Sequence, residues 1–128
     1  EKEIRQILTR HFEGIKKGSE KILNEVWLSD NAPVVSKNSK KGIEALQVNP
    51  AKSVFKFWTD KASPNTKGTI EFVDVVEKEM AVVKIKLEWR GHKLVDYLTL
   101  LKMNNKWKIV GKTYIEPNPS GNKSPYGG

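Results

Sequence analysis

The chain contains no cysteine, which removes disulfides, thiolate nucleophiles and Cys-ligated zinc from the chemistry it can carry. That absence says nothing about compartment, because a chain without Cys suits oxidising and reducing spaces alike. No apolar run approaches the ~20 residues that a membrane-crossing helix needs, so a soluble domain with no membrane partner is expected. Two histidines, His11 and His92, stand far apart with no carboxylate cluster beside either, and no metal is expected. No Ser lies in a Gly-x-Ser-x-Gly setting and no phosphate-cradling glycine loop occurs, so neither a nucleophilic triad nor a nucleotide cofactor is expected. Arginine is scarce as well: Arg5, Arg10 and Arg90 are three of the 23 basic residues.

That scarcity bears on the net charge of +8. The lysines are scattered along the chain, at Lys16-Lys17, Lys37 to Lys41, Lys52 and Lys56, Lys84 and Lys86, and Lys106 and Lys108. Alternate lysines keep an exposed sheet face soluble, whereas base reading and phosphate forking favour Arg. The charge therefore reads as a solvated surface, and no nucleic-acid partner is expected. A basic docking domain would instead gather its lysines on one face and lose binding steeply with salt.

What is present is a single-domain core. The chain has 128 residues, 38% of them hydrophobic, with four Trp and four Phe. Ile4, Leu8, His11, Phe12 and Ile15 fall at spacings of three and four, one face of a helix that stops at Gly18. Ser19-Glu20 caps a second helix carrying Ile22, Leu23, Val26 and Trp27. Pro33-Val34-Val35 reads as a short extended piece, and Ser36 to Gly42 as a polar, lysine-rich loop. A third helix is predicted with Asn49 as its cap, Pro50 at its first position, Val54, Phe55, Phe57 and Trp58 on its apolar face, and an end near Ala62.

From Thr69 the period changes to two. Ile70, Phe72, Asp74 and Val76 are expected on one face, with Val73 and Val75 on the other. Glu77-Lys78-Glu79 turns the chain into the clearest alternation, Ala81, Val83, Ile85, Leu87 and Trp89. Gly91-His92 closes a hairpin, which leaves His92 exposed. The next strand places Leu94, Asp96, Leu98 and Leu100 on one side and Val95, Tyr97, Thr99 and Leu101 on the other. Both sides are apolar, so both are expected to be covered, the second by another element or by a second subunit. Asn104-Asn105 turns into a closing strand with Trp107 and Ile109, which runs on to Lys112 and Tyr114. One domain is expected over 1–116, and 117–128 as an extended or flexible tail. The chain begins at Glu1 rather than Met, which is compatible with a removed tag, upstream segment or signal peptide, so the compartment stays open between the cytoplasm and export.

The order helix, helix, short strand, helix and four strands resembles the nuclear transport factor 2-like superfamily. Within it the chain is similar to the group labelled "putative lumazine-binding", beside the SnoaL-like polyketide cyclases. The resemblance rests on Phe12-Glu13-Gly14-Ile15 with Gly18, on Gly42, on Asp96-Tyr97-Leu98-Thr99-Leu100-Leu101-Lys102, and on Lys106-Trp107-Lys108-Ile109-Val110-Gly111-Lys112. It implies an α+β fold, a cone-shaped curved antiparallel sheet wrapped around N-terminal helices, with an internal pocket. It also implies, together with the two-sided apolar strand, a homodimer through the sheet. The superfamily hosts enzymes and binding modules on one scaffold, so the function has to come from the site.

Two readings of that site stay open. The leading one is a non-catalytic binding module that holds a small apolar or aromatic molecule. Phe12, Trp27, Phe55, Trp58, Phe72 and Trp89 are candidates for the wall, with Trp58 and Trp89 foremost and Tyr114 at the rim. The alternative is a small isomerase, dehydratase or cyclase that uses Asp96 and His11 as acid/base groups. A carboxylate among leucines is either paired or functional, and Lys112 and Arg90 are the cations that could pair with Asp96. The enzyme needs Asp96 and His11 facing one cavity with a raised Asp pKa. The binding module needs Asp96 tied to a cation.

Overall fold

A computed structural model of the chain describes residues 1–118, 125 and 126. The three-and-four spacing builds α1 (Lys2–Lys17), which buries Ile4, Leu8, His11, Phe12 and Ile15. It stops at Gly18, whose left-handed backbone (φ 63°) lets its own amide donate to the Ile15 carbonyl and the Ser19 amide to that of Gly14. A Cβ at Gly18 would also come within 2.9 Å of the Lys61 carbonyl oxygen, so a side chain is excluded on two counts. The Ser19 hydroxyl then accepts from the Ile22 amide and starts α2 (Glu20–Val26).

The polar segment expected as a loop is instead a hairpin, β1 (Pro33–Lys40) and β2 (Ile43–Pro50). Lys41 and Gly42 both have positive φ, the two-residue turn that matches the twist of paired strands. Composition hid these strands because the inner face of β1 carries small residues, Val34 and Ser36, while Ile43 and Leu46 of β2 are left 72% and 75% exposed. The next expectation shifts as a result. Asn49 pairs with Val34 inside β2, and Pro50 is the N-cap of α3 (Ala51–Thr59). The first amides of α3, of Ala51 and Lys52, donate to the carbonyls of Ala32 and Asp30. The helix ends short of Ala62.

Four long strands follow: β3 (Lys67–Val76), β4 (Met80–Trp89), β5 (His92–Met103) and β6 (Lys106–Ile115). They complete a curved, unclosed sheet in the order β2-β1-β6-β5-β4-β3, in which only β1 and β6 pair in parallel. The β4–β5 turn is Arg90-Gly91 and the β5–β6 turn is Asn104-Asn105, all four residues at positive φ. His92 is therefore the first residue of β5 and not part of the turn. It is half-buried, stacked on Trp89, with Nδ1 2.9 Å from Glu116 Oε2. The helices cover the inner face, where Ala81, Val83, Ile85, Leu87, Leu94, Leu98, Leu100 and Ile109 are buried.

Two bulges decide which side chains face inward. The β3–β4 register passes from Ile70 to Phe72 and skips Glu71. Ile70 thus faces inward with Val73 and Val75, while Phe72 faces out and is no part of any inner wall. The β5–β6 register passes from Leu100–Ile109 to Thr99–Gly111 and skips Val110. Trp107 and Ile109 face inward before that bulge, and Lys112 and Tyr114 after it.

On the outer face one row crosses all six strands in register: Val48, Val35, Thr113, Tyr97, Lys84, Phe72. Tyr97 of this row is 48% exposed, so within one chain the second apolar side of β5 has no full cover. No helix of the structure is long and apolar enough to cross a membrane. Of the tail expected at 117–128, residues 119–124, 127 and 128 lie outside the described residues. Its member Tyr126 is described, and it is buried in the core at 8% exposure.

Gly68 on β3 lets α1 approach the sheet. A Cβ there would stand 2.4 Å from the Phe12 ring. We predict that Gly68→Ala destabilises the fold by about 1–3 kcal/mol through overpacking. Urea unfolding measures this, and the loss should shrink in a Phe12→Leu background, where the opposing ring is gone.

Candidate functional site

The skipped residue in β6 brings a second charge to the inner face of the sheet. Asp96 lies mid-strand in β5, between Ile85 of β4 and Tyr114 of β6 in register, and its side chain points inward among Leu94, Leu98 and Leu100. An unbulged β6 would send Lys112 to the outer face. With Val110 skipped, Lys112 turns inward and its Nζ stands 3.1 Å from Asp96 Oδ2. Neither side chain is exposed to solvent at all. The contact is an ion pair, and apart from it neither carboxylate oxygen has a hydrogen-bond partner.

Burial pushes the Asp96 carboxyl above its ordinary range, and the nearby ammonium of Lys112 pulls it part of the way back. Burial lowers the Lys112 pKa in the same manner, with Asp96 opposing. Arg90, the other cation considered for Asp96, is engaged elsewhere. Its guanidinium donates to Asp60 Oδ1 at 2.7 Å, to Ser63 Oγ at 2.8 Å and to the Lys61 carbonyl at 3.0 Å.

Aromatic rings close over the pair. Lys112 Nζ lies 4.6 Å above the Trp58 ring and 5.2 Å from that of Tyr114. Trp58 comes from α3, Trp27 from the end of α2 and His11 from α1, and each pair of these rings is within contact range. Phe55 stacks on Trp58 and meets Trp27 edge-on. Phe12 touches His11 but lays its ring against Gly68, toward the β3 edge. Trp89, from the end of β4, reaches the group through Tyr126.

The protonation of His11 follows from its partner. Trp27 Nε1–H can only donate, and it donates to His11 Nδ1 at 3.2 Å. The imidazole therefore carries its proton on Nε2, which is buried with no hydrogen-bond partner. Burial, reinforced by the charge of Lys112, lowers the His11 pKa from 6.5 to about 3. At neutral pH this ring is a hydrogen-bond donor and a very weak base.

Of the residues expected at the site, Phe72 is exposed on the outer face and the others are buried, with His11, Trp27, Phe55 and Trp58 in mutual ring contact beside Asp96, Lys112 and Tyr114. Among the described residues, four buried side-chain polar atoms lack a hydrogen-bond partner: His11 Nε2, Trp89 Nε1 and both Asp96 oxygens. All four belong to this cluster. Sequence reasoning missed Tyr126, although it is the one aromatic among the Pro, Gly, Asn and Ser residues that follow Ile115. Among the described residues, no group of three or more His, Asp or Glu side chains could hold a metal ion.

Two predictions follow from this electrostatics. Asp96→Leu leaves a buried, unpaired ammonium and is expected to destabilise by about 3–5 kcal/mol, whereas the double variant Asp96→Leu/Lys112→Met recovers most of that loss; urea unfolding of the four-member cycle measures it. His11 titrates near 6.5 when unfolded and at about 3 when folded. The stability that its neutral form contributes is full above that window and is lost as pH falls through it, by up to about 1.4 kcal/mol per pH unit. Asp96 acts in the opposite sense, because its raised carboxyl favours the folded state as pH falls. The difference between the wild-type and His11→Gln stability curves from pH 7 to pH 4 isolates the His11 contribution, and parallel curves would refute it.

The architecture has close counterparts. A nuclear transport factor 2-like (NTF2-like) protein of unknown function from Shewanella baltica shares 27% identity over 91% of this chain and 92% of its own, with a TM-score of 0.78. Proteins of the same description from Methylobacillus flagellatus and Silicibacter pomeroyi share 21% and 19% identity, with TM-scores of 0.73 and 0.72. Each is covered over 88% of this chain, and over 88% and 92% of its own length respectively. These two likenesses, at such identity, speak for the fold. A comparison with curated proteins finds no match. The family model described as "Putative lumazine-binding" matches residues 1–115, and the chain belongs to that family, within the NTF2-like superfamily.

Proposed function

We propose that the cone binds a small, flat aromatic molecule and does not transform it. The observation that carries this reading is the concentration of buried polar atoms without a hydrogen bond, His11 Nε2, Trp89 Nε1 and the carboxylate of the Asp96–Lys112 ion pair, among aromatic rings. Folded domains satisfy nearly all buried polar groups, and the few exceptions call for a reason. Here the exceptions share one floor, with Lys112 beside them and Trp58, Trp89 and Tyr114 around them. A heteroaromatic ring bearing both donors and acceptors would stack on those walls and meet the unpaired atoms at its edge. The description of the family, lumazine-binding, is consistent with a ligand of this kind.

Asp96 and His11 support binding over turnover. A general base needs a free lone pair and a pKa near the working pH. Asp96 is held by Lys112, and His11 presents a donor proton on Nε2 with a pKa of about 3. The raised carboxyl of Asp96 is the feature that favours the enzymatic alternative. The uncovered outer row from Val48 to Phe72 supports a homodimer through the sheet, since a second copy would remove Tyr97 and Phe72 from water.

Native mass spectrometry of the full chain, followed by denaturation to release bound molecules, tests both parts. The expected result is a dimer, with a discrete aromatic adduct that is lost in Lys112→Met. A dimer that neither carries an adduct nor binds any member of a panel of flat heteroaromatics, lumazine included, would sink the ligand reading. A clean monomer would sink the dimer. Turnover of a panel compound that disappears in Asp96→Asn would favour the enzyme instead.

A further inference from the structure

Tyr126 sits where the proposed ligand would sit. Its ring lies 5.4 Å from Trp89, 5.4 Å from Tyr114 and 5.8 Å from Trp58, edge-on to the last two. Its hydroxyl accepts from Trp58 Nε1–H at 3.1 Å, and Lys112 Nζ stands 3.5 Å away. No strand or helix includes it, and it is buried at 8% exposure. It also lies beyond residues 1–115, the span that the family model matches.

From this arrangement we infer that Tyr126 is a tethered occupant of the binding cone, and that the cone's free ligand is a hydroxylated aromatic ring that displaces it. The inference rests on the binding function proposed above and adds to it a ligand class and a competitor built into the chain. The phenol matches the site in two respects. Its ring fills the space between Trp58, Trp89 and Tyr114, and its oxygen takes the indole proton of Trp58 beside the ammonium of Lys112. The match is incomplete in a third respect. With Tyr126 in place, His11 Nε2, Trp89 Nε1 and the Asp96 oxygens still lack hydrogen-bond partners. A free ring with the same hydroxyl and one further polar group could satisfy atoms that the tyrosine leaves unpaired. That surplus is how a free ligand overcomes the advantage of a tethered one.

The test titrates p-cresol, the side chain of tyrosine as a free molecule, into the full chain and into Tyr126→Ala, read by the fluorescence of Trp58 and Trp89. If the tyrosine fills the cone in nine molecules of ten, removing it tightens p-cresol binding about tenfold. Toluene, which lacks the hydroxyl, should bind Tyr126→Ala about fivefold more weakly than p-cresol does. Equal p-cresol affinity for the two proteins would overturn the inference and leave the binding function standing. Failure of both to bind p-cresol, with an aromatic adduct still present by native mass spectrometry, would overturn the ligand class alone. Failure of both with no adduct would remove the binding function too. If Tyr126→Ala does not fold, the unaltered sequence carrying 3-fluorotyrosine decides the matter, with the Tyr126 resonance assigned from Tyr126→Phe. Saturating p-cresol should move that resonance to its exposed position. Binding that leaves it in place would overturn the inference.

Discussion

A carboxylate and an ammonium withdrawn from water each lose several kcal/mol of hydration, and their attraction restores this only where the geometry is good. Asp96 and Lys112 make that exchange on the inner face of the sheet, fully buried and 3.1 Å apart. The surroundings are arranged around it. Burial and, secondarily, the field of Lys112 keep His11 neutral, the faces of Trp58 and Tyr114 receive the ammonium, and the oxygen of Tyr126 lies beside it. A leucine and a methionine in the same places would restore most of the stability lost when the pair is broken. The ion pair is therefore not a source of net stability over an apolar pair.

The aromatic residues serve the core and the site at once. Trp58 is the largest fully buried side chain, and it offers one face to Lys112, a neighbouring contact to His11 and its indole proton to Tyr126. The rings that hold α3 against α1 and α2 are the same rings that surround the ion pair.

Much of the fold is legible in the residues because β4, β5 and the helices follow their periods without interruption. Ala81 to Trp89 alternate, Ile4 to Ile15 keep a helical stripe, and Asn104-Asn105 marks its own turn. Legibility ends wherever one residue breaks a period. A skipped Glu71 sends Phe72 outward, and a skipped Val110 brings Lys112 inward; neither is visible in composition. The β1–β2 hairpin stays hidden because its strands bury little, although Lys41-Gly42 is a fair turn signal. At the site, Asp96 announces itself as a charge among leucines, and Lys112 could be named as its partner. Tyr126 could not be placed, since its burial depends on a tertiary contact with rings far away in sequence.

The parallel pairing of β1 with β6 also carries a consequence in time. It joins Val34 to Lys112 and Val35 to Thr113, partners from distant parts of the chain. The strands β3 to β6 are linked by short turns and can zip together on the microsecond scale of hairpins. Closing a loop that spans most of the chain is slower, because its entropy is lost before any contact repays it. The β1–β2 hairpin is thus expected to dock late, against an already formed meander. Until it does, Lys112 lies on the open border of that meander and keeps its hydration. The ion pair would be sealed from water by one of the last events of folding, and a nascent chain would spend its early life with a wet, accessible floor.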